Sequence, residues 1–220
     1  MAGREVLEVT YVRGLEEEGA RFWLKRVGWH PSDVAEEIVK KNAPREIEYI
    51  ADVGGAHGRD TLWLTKHKFR VVLLEPNKFS LKLAKERARR ERLGINIVRS
   101  TLPYIPLRSE SMDTVEFYWC LHNIPDKYKA SSLREIQRIL KTGGKLYSTT
   151  FGSWGRHKMP DSIYPVTTRK AFEKLHTLAG FRAIAEAEER ADSVVPFEKY
   201  WYGEFKKGCN KNLLETNASR

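Results

Sequence analysis

Residues 49–60 read YIADVGGAHGRD: three apolar or aromatic residues lead into an acid, and the acid leads into three glycines within five positions. Glycine after a strand lets the backbone turn sharply and approach a ligand at the strand's carboxyl end. The usual occupant of such a turn is a dinucleotide pyrophosphate on a helix N-terminus. Two features oppose that here. The spacing Gly54, Gly55, Gly58 is not G-x-G-x-x-G. Asp52 also stands two residues before the first turn glycine, where its carboxylate would repel a pyrophosphate. The loop suits a ligand that carries a cation and no phosphate.

Outward from this loop, short apolar runs alternate with amphipathic segments. YIADV (49–53), FRVVLLE (69–75), INIV (95–98), TVEFYW (114–119) and KLYSTTF (145–151) read as strands. Helices are predicted after Gly58, over 77–93 and over 127–140, the last stopped by Gly143-Gly144. Continuous rather than two-faced apolar runs indicate strands buried on both sides. The fold expected is α/β: a Rossmann-like, doubly wound, mostly parallel seven-stranded sheet with helices on both faces. Thr167-Thr168 can cap a further helix ending at Ala179-Gly180. FRAIAEAE (181–188) and VVPFEKYWYGEF (194–205) are read as a C-terminal β-hairpin, although Phe197, Trp201 and Phe205 also fit a helical stripe.

Upstream, Leu15, Ala20, Trp23, Leu24 and Val27 recur mostly at helical spacing, and Pro31-Ser32-Asp33 offers caps for a second helix ending before Pro44. Their apolar stripes have no other evident partner, so residues 1–45 are expected to form a helical lid within the same domain. The main domain is assigned to 46–207, and 208–220 to a disordered tail.

A chain of 220 residues is one domain by length. Cys120 and Cys209 stand too far apart for a disulfide framework and fit a reducing cytosol. No apolar run has the length of a membrane span, and the first residues lack a signal-peptide core, so a cytoplasmic protein with no membrane partner is expected. No cluster suggests a metal. The net charge of +10 makes RNA a possible partner. The oligomeric state is left open.

An ammonium and a sulfonium beside a ribose give S-adenosylmethionine the character that the Asp52 loop asks for. Glu75, at the end of the second strand and about twenty residues on, sits where an acid accepts hydrogen bonds from ribose hydroxyls. At this point the chain resembles the class I S-adenosylmethionine-dependent methyltransferases, over roughly residues 48–150. Asp52 to Gly58 looks like the family's D-x-G-x-G-x-G loop, with Ala56 at the middle glycine, a mild departure if its φ is negative.

The resemblance implies S-adenosylmethionine as cofactor and assigns Asp52, Gly54, Gly55, Ala56, Gly58, Glu75 and Pro76 to its site. In STLPYIPL (100–107), Thr101 replaces the family's customary Asp at the adenine amino group, and Leu102 would meet the adenine through its backbone. Phe117 would end the fourth strand near the methionine moiety, with Tyr118 and Trp119 walling the pocket. LREIQRILKTGGKL (133–146) and TTRKAFEKLHTLAGF (167–181) are similar to the family's later helix units.

Other polar residues are read more plainly. His57 is expected on the surface, Asp113 as a structural acid, and Cys120 as buried and inert, since it lacks the neighbouring proline of cytosine-5 enzymes. His122 follows the fourth strand and is the candidate base, needed only if the acceptor arrives protonated. Lys78, Lys82, Lys85 and Arg89 form either a solvated helix face or a phosphate-tracking stripe. The position after the fourth strand reads Tyr118-Trp119-Cys120-Leu121, not the [DNS]-P-P-[YFW] of enzymes that methylate base amines. The function expected is therefore methyl transfer to a small molecule or protein side chain. A tRNA or rRNA methyltransferase is the alternative, and a non-catalytic S-adenosylmethionine-binding module is the alternative from another class.

Overall fold

The computed structural model describes residues 17–42, 48–151, 166, 168–191 and 199–208. Leu15, Pro44, Thr167, Phe197, Cys209 and the expected tail beyond Gly208 lie outside the described residues.

Two helices come first, α1 (Glu17–Val27) and α2 (Asp33–Lys41). The repeating core follows as β1 (Tyr49–Val53), α3 (Arg59–Lys66), β2 (Arg70–Leu74), α4 (Lys78–Arg90) and β3 (Asn96–Val98). Then come β4 (Met112–Phe117), a 3-10 turn (Leu121–Asn123), α5 (Asp126–Ile139) and β5 (Leu140–Phe151). The chain closes with α6 (Arg169–Leu178), β6 (Phe181–Ala183), β7 (Glu188–Ala191) and β8 (Lys199–Lys207).

Strands β1 to β5 pair in parallel, and β8 joins β5 antiparallel, giving the order β3-β2-β1-β4-β5-β8-β6 with β7 also on β8. The order reverses between β1 and β4, the switch point at which open α/β sheets bind ligands. The expected antiparallel C-terminal pairing is present: β6, inside the 181–188 segment, and β7 each pair antiparallel with β8. Among the described residues the sheet has eight strands where seven were expected, because residues 181–191 form two short strands that both lie against β8.

Alternation along the strands sends their side chains to two separate cores. One face, carrying Ile50, Val71 and Tyr147, packs against Val34, Ala35 and Ile38 of α2 and Leu64 of α3. The other, carrying Ala51, Val115, Phe117 and Leu146, packs against Leu133, Ile136 and Ile139 of α5 and Phe172 of α6. Capping sets where the helices start. Ser32 accepts from the Ala35 N–H, Asn77 from Phe79 and Ser80, and Thr168 from Ala171. Gly143-Gly144 does not separate helix from strand. Both lie inside β5, which begins at Leu140, and a Cβ on Gly144 would stand 2.9 Å from the Asp113 and Lys141 carbonyl oxygens.

Candidate active site

The site is built from the first βα turn. Gly54 takes φ +76 and Gly58 φ +74, the left-handed region that favours glycine. A Cβ on Gly54 would overlap the Cys120 sulfur, and one on Gly55 would overlap the Asp52 carboxylate. Ala56 has φ +48, so the expectation of a negative φ at that position is corrected. The methyl group is carried in a strained conformation, and the Ala56 N–H is thereby turned to donate to Glu75 Oε2 at 3.1 Å.

Glu75 follows β2 and is buried. Its other oxygen accepts from the Asn77 N–H at 2.8 Å. Each carboxylate oxygen keeps a further lone pair, which is what a pair of ribose hydroxyls would use. Burial pushes the Glu75 carboxyl up to about 7, against the two N–H bonds that hold it down. Pro76 is half-buried and accepts from Arg99 Nε at 3.0 Å.

Asp52 is buried and accepts from the Thr61 hydroxyl at 2.6 Å. In register it sits between Leu73 and Glu116, so Asp52 and Glu116 project side by side from the same face. Asp60 joins them from the first turn of α3. Burial, then the nearby Asp60, pushes the Asp52 carboxyl up to about 7. Burial, Asp60 and Asp52 likewise hold Glu116 well above the usual carboxylate range. Arg59 brings a guanidinium among these acids, with Nε 3.3 Å from Asp60 and its charge 5.1 Å above the Tyr118 ring. This buried, acid-rich floor under a glycine turn fits a cationic ligand.

The amino-terminal segment closes onto this floor. The Ser32 N–H donates to Asp60 at 2.7 Å and its hydroxyl donates to Glu116 at 3.1 Å. His57, expected at the surface, is buried instead. Its Nε2 donates to the Gly28 carbonyl at 2.7 Å, and its ring meets Trp29 edge-on at 4.9 Å. The segment between α1 and α2 covers what would otherwise be an exposed loop histidine.

The remaining predicted residues divide. Tyr118 is half-buried and stacks on Trp119, which has φ +54, with ring centroids 5.5 Å apart. Phe117 ends β4 but points into the α5-side core. Thr101 is half-buried and lies, with Arg99, Tyr104 and Arg134, along an open groove of about 780 Å³ beside α5. Leu102 packs against the α5-side core. The Cys120 thiol donates to the carbonyls of Val53 and Tyr118, and burial with nearby acids pushes it far up, which suits an inert residue. Asp113 accepts from the Tyr49 N–H and from Lys141, a structural role.

His122 is fully buried, and its Nδ1 accepts the Phe151 N–H at 3.4 Å. Burial, then Lys129, pushes its pKa down to about 3. The neutral ring must therefore carry its proton on Nε2, which makes it a hydrogen-bond donor rather than a base in this arrangement.

The sequence marked Ser32 only as a helix cap and did not single out Arg59, Asp60, Thr61 or Glu116. Only Glu116 left a signal: an acid within a strand otherwise read as buried on both faces.

The methyltransferase-domain family matches residues 51–148, the stretch that carries the glycine turn, Glu75 and β4. Residues 51–148 thus carry the pattern of a methyltransferase domain. The chain is 28% identical over 163 residues to the ubiquinone/menaquinone biosynthesis C-methyltransferase UbiE of Shewanella frigidimarina, covering 72% of the chain and 59% of that enzyme. It is 30% identical over 123 residues to the uncharacterized methyltransferase YodH of Bacillus subtilis, covering 54% of the chain and 51% of that protein. The chain thus spans between half and three-fifths of the length of these relatives. Among solved structures, the fold is shared with the 1,6-didemethyltoxoflavin-N1-methyltransferase of Burkholderia thailandensis, which was solved with bound 1,6-didemethyltoxoflavin and S-adenosylhomocysteine. That match has a TM-score of 0.68 at 18% identity and covers 94% of the chain and 89% of that enzyme.

Proposed function

We propose that this methyltransferase transfers a methyl group from S-adenosylmethionine to a small-molecule acceptor. The observation that carries the reading is the pair of buried carboxylates, Asp52 and Glu75, at the ends of adjacent parallel strands around the glycine turn. Glu75 would hold the ribose, with Pro76, Thr101 and Leu102 at the adenine end, and the Asp52 floor would face the cationic amino-acid portion. Bound S-adenosylmethionine supplies an activated methyl, whose carbon bonds to an electron pair of the acceptor while the C–S bond's pair returns to sulfur.

The chain's own contribution is positioning and exclusion of water. Gly54 and Gly55 let the backbone approach, Tyr118 and Trp119 wall the site, and the segment from Gly28 to Ser32 closes it as a lid. The small-molecule assignment is supported by the absence of the amine-methylation signature after β4. UbiE and the toxoflavin enzyme, relatives in sequence or fold, are also named for small-molecule methylation.

One feature favours RNA as a second reading: Lys78, Lys82, Lys85 and Arg89 are all exposed along α4. The test is incubation with methyl-labelled S-adenosylmethionine and cell extract, followed by fractionation. Label is expected in the small-molecule fraction. Label in RNA or protein would replace the acceptor assignment, and cofactor binding without any turnover would indicate a binding module.

A further inference from the structure

The glycine turn carries two costs that a simple chain reversal does not need. The Gly58 N–H donates to the Gly55 carbonyl at 2.8 Å, so Ala56 and His57 are the central residues of a closed turn. Ala56 takes φ +48, a conformation that glycine adopts freely and alanine adopts under strain. His57 Nδ1 is a buried atom with no hydrogen-bond partner among the described residues. Backbone strain of this kind persists only where the surroundings hold it in place.

The holding contact comes from outside the turn. His57 Nε2 donates to the Gly28 carbonyl at 2.7 Å, and its ring meets Trp29 edge-on at 4.9 Å. Arg87 of α4 lies 5.2 Å over the Trp29 ring and helps to seat it. Burial pushes the His57 imidazole below its ordinary value, so the ring is neutral and its one proton sits in the Gly28 bond. Three residues on, Asp60 accepts the Ser32 N–H at 2.7 Å. Both ends of the segment from Gly28 to Ser32 are therefore tied to residues 57–60.

The inward side of the same turn serves Glu75. The Asn77 N–H holds one carboxylate oxygen from two residues away, a bond that forms locally. The Ala56 N–H holds the other at 3.1 Å from nineteen residues away, and it does so only because its peptide is turned. Neighbouring residues thus carry the Glu75 contact and the Gly28 contact. With His57 released, Ala56 can relax toward negative φ, and its N–H swings off Glu75.

We infer that His57 is a positioning residue: seated on Gly28 and Trp29, it locks the strained Ala56 peptide and thereby aims Glu75 at the cofactor ribose. Closure of the amino-terminal segment and recognition of the ribose are then one event. This rests on the reading of Glu75 as the ribose acid.

The test is S-adenosylhomocysteine affinity, measured by calorimetry on the full chain. His57→Leu should weaken binding about tenfold. His57→Gln, which keeps an N–H donor at similar reach, should restore most of it. Ala56→Gly added to His57→Leu should restore most of it too, since glycine holds the turned peptide without a clamp. In a Glu75→Ala background, His57→Leu should cost little more, because both changes remove the same contact. Trp29→Leu disturbs His57 from the lid side and serves if His57→Leu does not fold; it should show a loss in the same direction and the same rescue by glycine. A purely structural histidine gives a lower melting temperature with unchanged affinity, or a loss that glycine at position 56 leaves in place and that adds in full to Glu75→Ala. Either result overturns the coupling. Affinity unchanged by Glu75→Ala alone instead removes the ribose reading, so the two failures are told apart.

Discussion

A side chain on Gly55 would overlap the Asp52 carboxylate, and a turned peptide at Ala56 feeds its N–H to Glu75, so single positions of the loop fix both acids. Glu75→Ala is expected to weaken S-adenosylhomocysteine binding by about 1.5–3 kcal/mol, the range for hydrogen bonds to a charged group. Calorimetric affinity equal to wild type would remove Glu75 from the ribose. The raised carboxyls also couple folding to pH. A carboxyl whose folded pKa is raised stabilises the fold fully below its unfolded pKa and loses that contribution as pH rises through the folded one. For Asp52 the window runs from 3.8 to about 7. His122 and His176, pushed down to about 3 and about 4, act oppositely below pH 6.5, because they must stay neutral where the unfolded chain protonates. The difference between Asp52→Asn and wild type isolates the acid. The variant's melting temperature should gain on wild type as pH rises from about 5 to 8, and parallel curves would refute a raised Asp52.

At the scale of elements, Ser32 makes three bonds: it caps α2 at Ala35 and ties that helix to Asp60 of α3 and to Glu116 of β4. Ser32→Ala keeps the N–H bond to Asp60 but removes the cap and leaves both Glu116 oxygens without a partner among the described residues. The cap alone is worth about 1 kcal/mol, and the melting temperature should fall by about 2–4 °C for each kcal/mol lost at this chain length. If α1 and α2 act as a lid, S-adenosylhomocysteine affinity should fall as well. A lower melting temperature with unchanged affinity would make them a brace instead. The C-terminal elements illustrate why pattern alone was ambiguous. Trp201 and Phe205 suit a helix or a strand, and pairing with β5 over Tyr200 to Lys206 decides for a strand.

The whole molecule carries a charge of +10, and the α4 stripe is exposed. Many of its other cations are spent internally, as in Lys41 with Glu204, Arg138 with Glu135 and Arg190 with Glu37. For a small acceptor, KM should therefore change little over a fourfold rise in salt. An RNA acceptor would instead show a log–log slope near −0.7 for each phosphate contacted. A steep slope that Lys82→Glu and Lys85→Glu flatten would move the acceptor to RNA.

Across these scales, what was legible in the sequence was local. The acid-then-glycine turn, the strand and helix alternation, the caps at Ser32 and Thr168 and the acid ending β2 each follow from a few consecutive residues and their backbone preferences. Burial and partnership were not local. His57 is buried because Gly28, 29 positions away, supplies its acceptor, and Glu116 is held by Ser32 across 84 positions. His122 looked like a base because an isolated imidazole is one near neutral pH. Only the packing of Phe151 and Lys129 around it sets its proton on Nε2 and turns it into a donor. The sequence by itself determined the backbone path and the cofactor turn, since those depend on neighbours along the chain. The tertiary structure decided which polar groups lose water together, because desolvation and charge proximity are properties of space rather than of order.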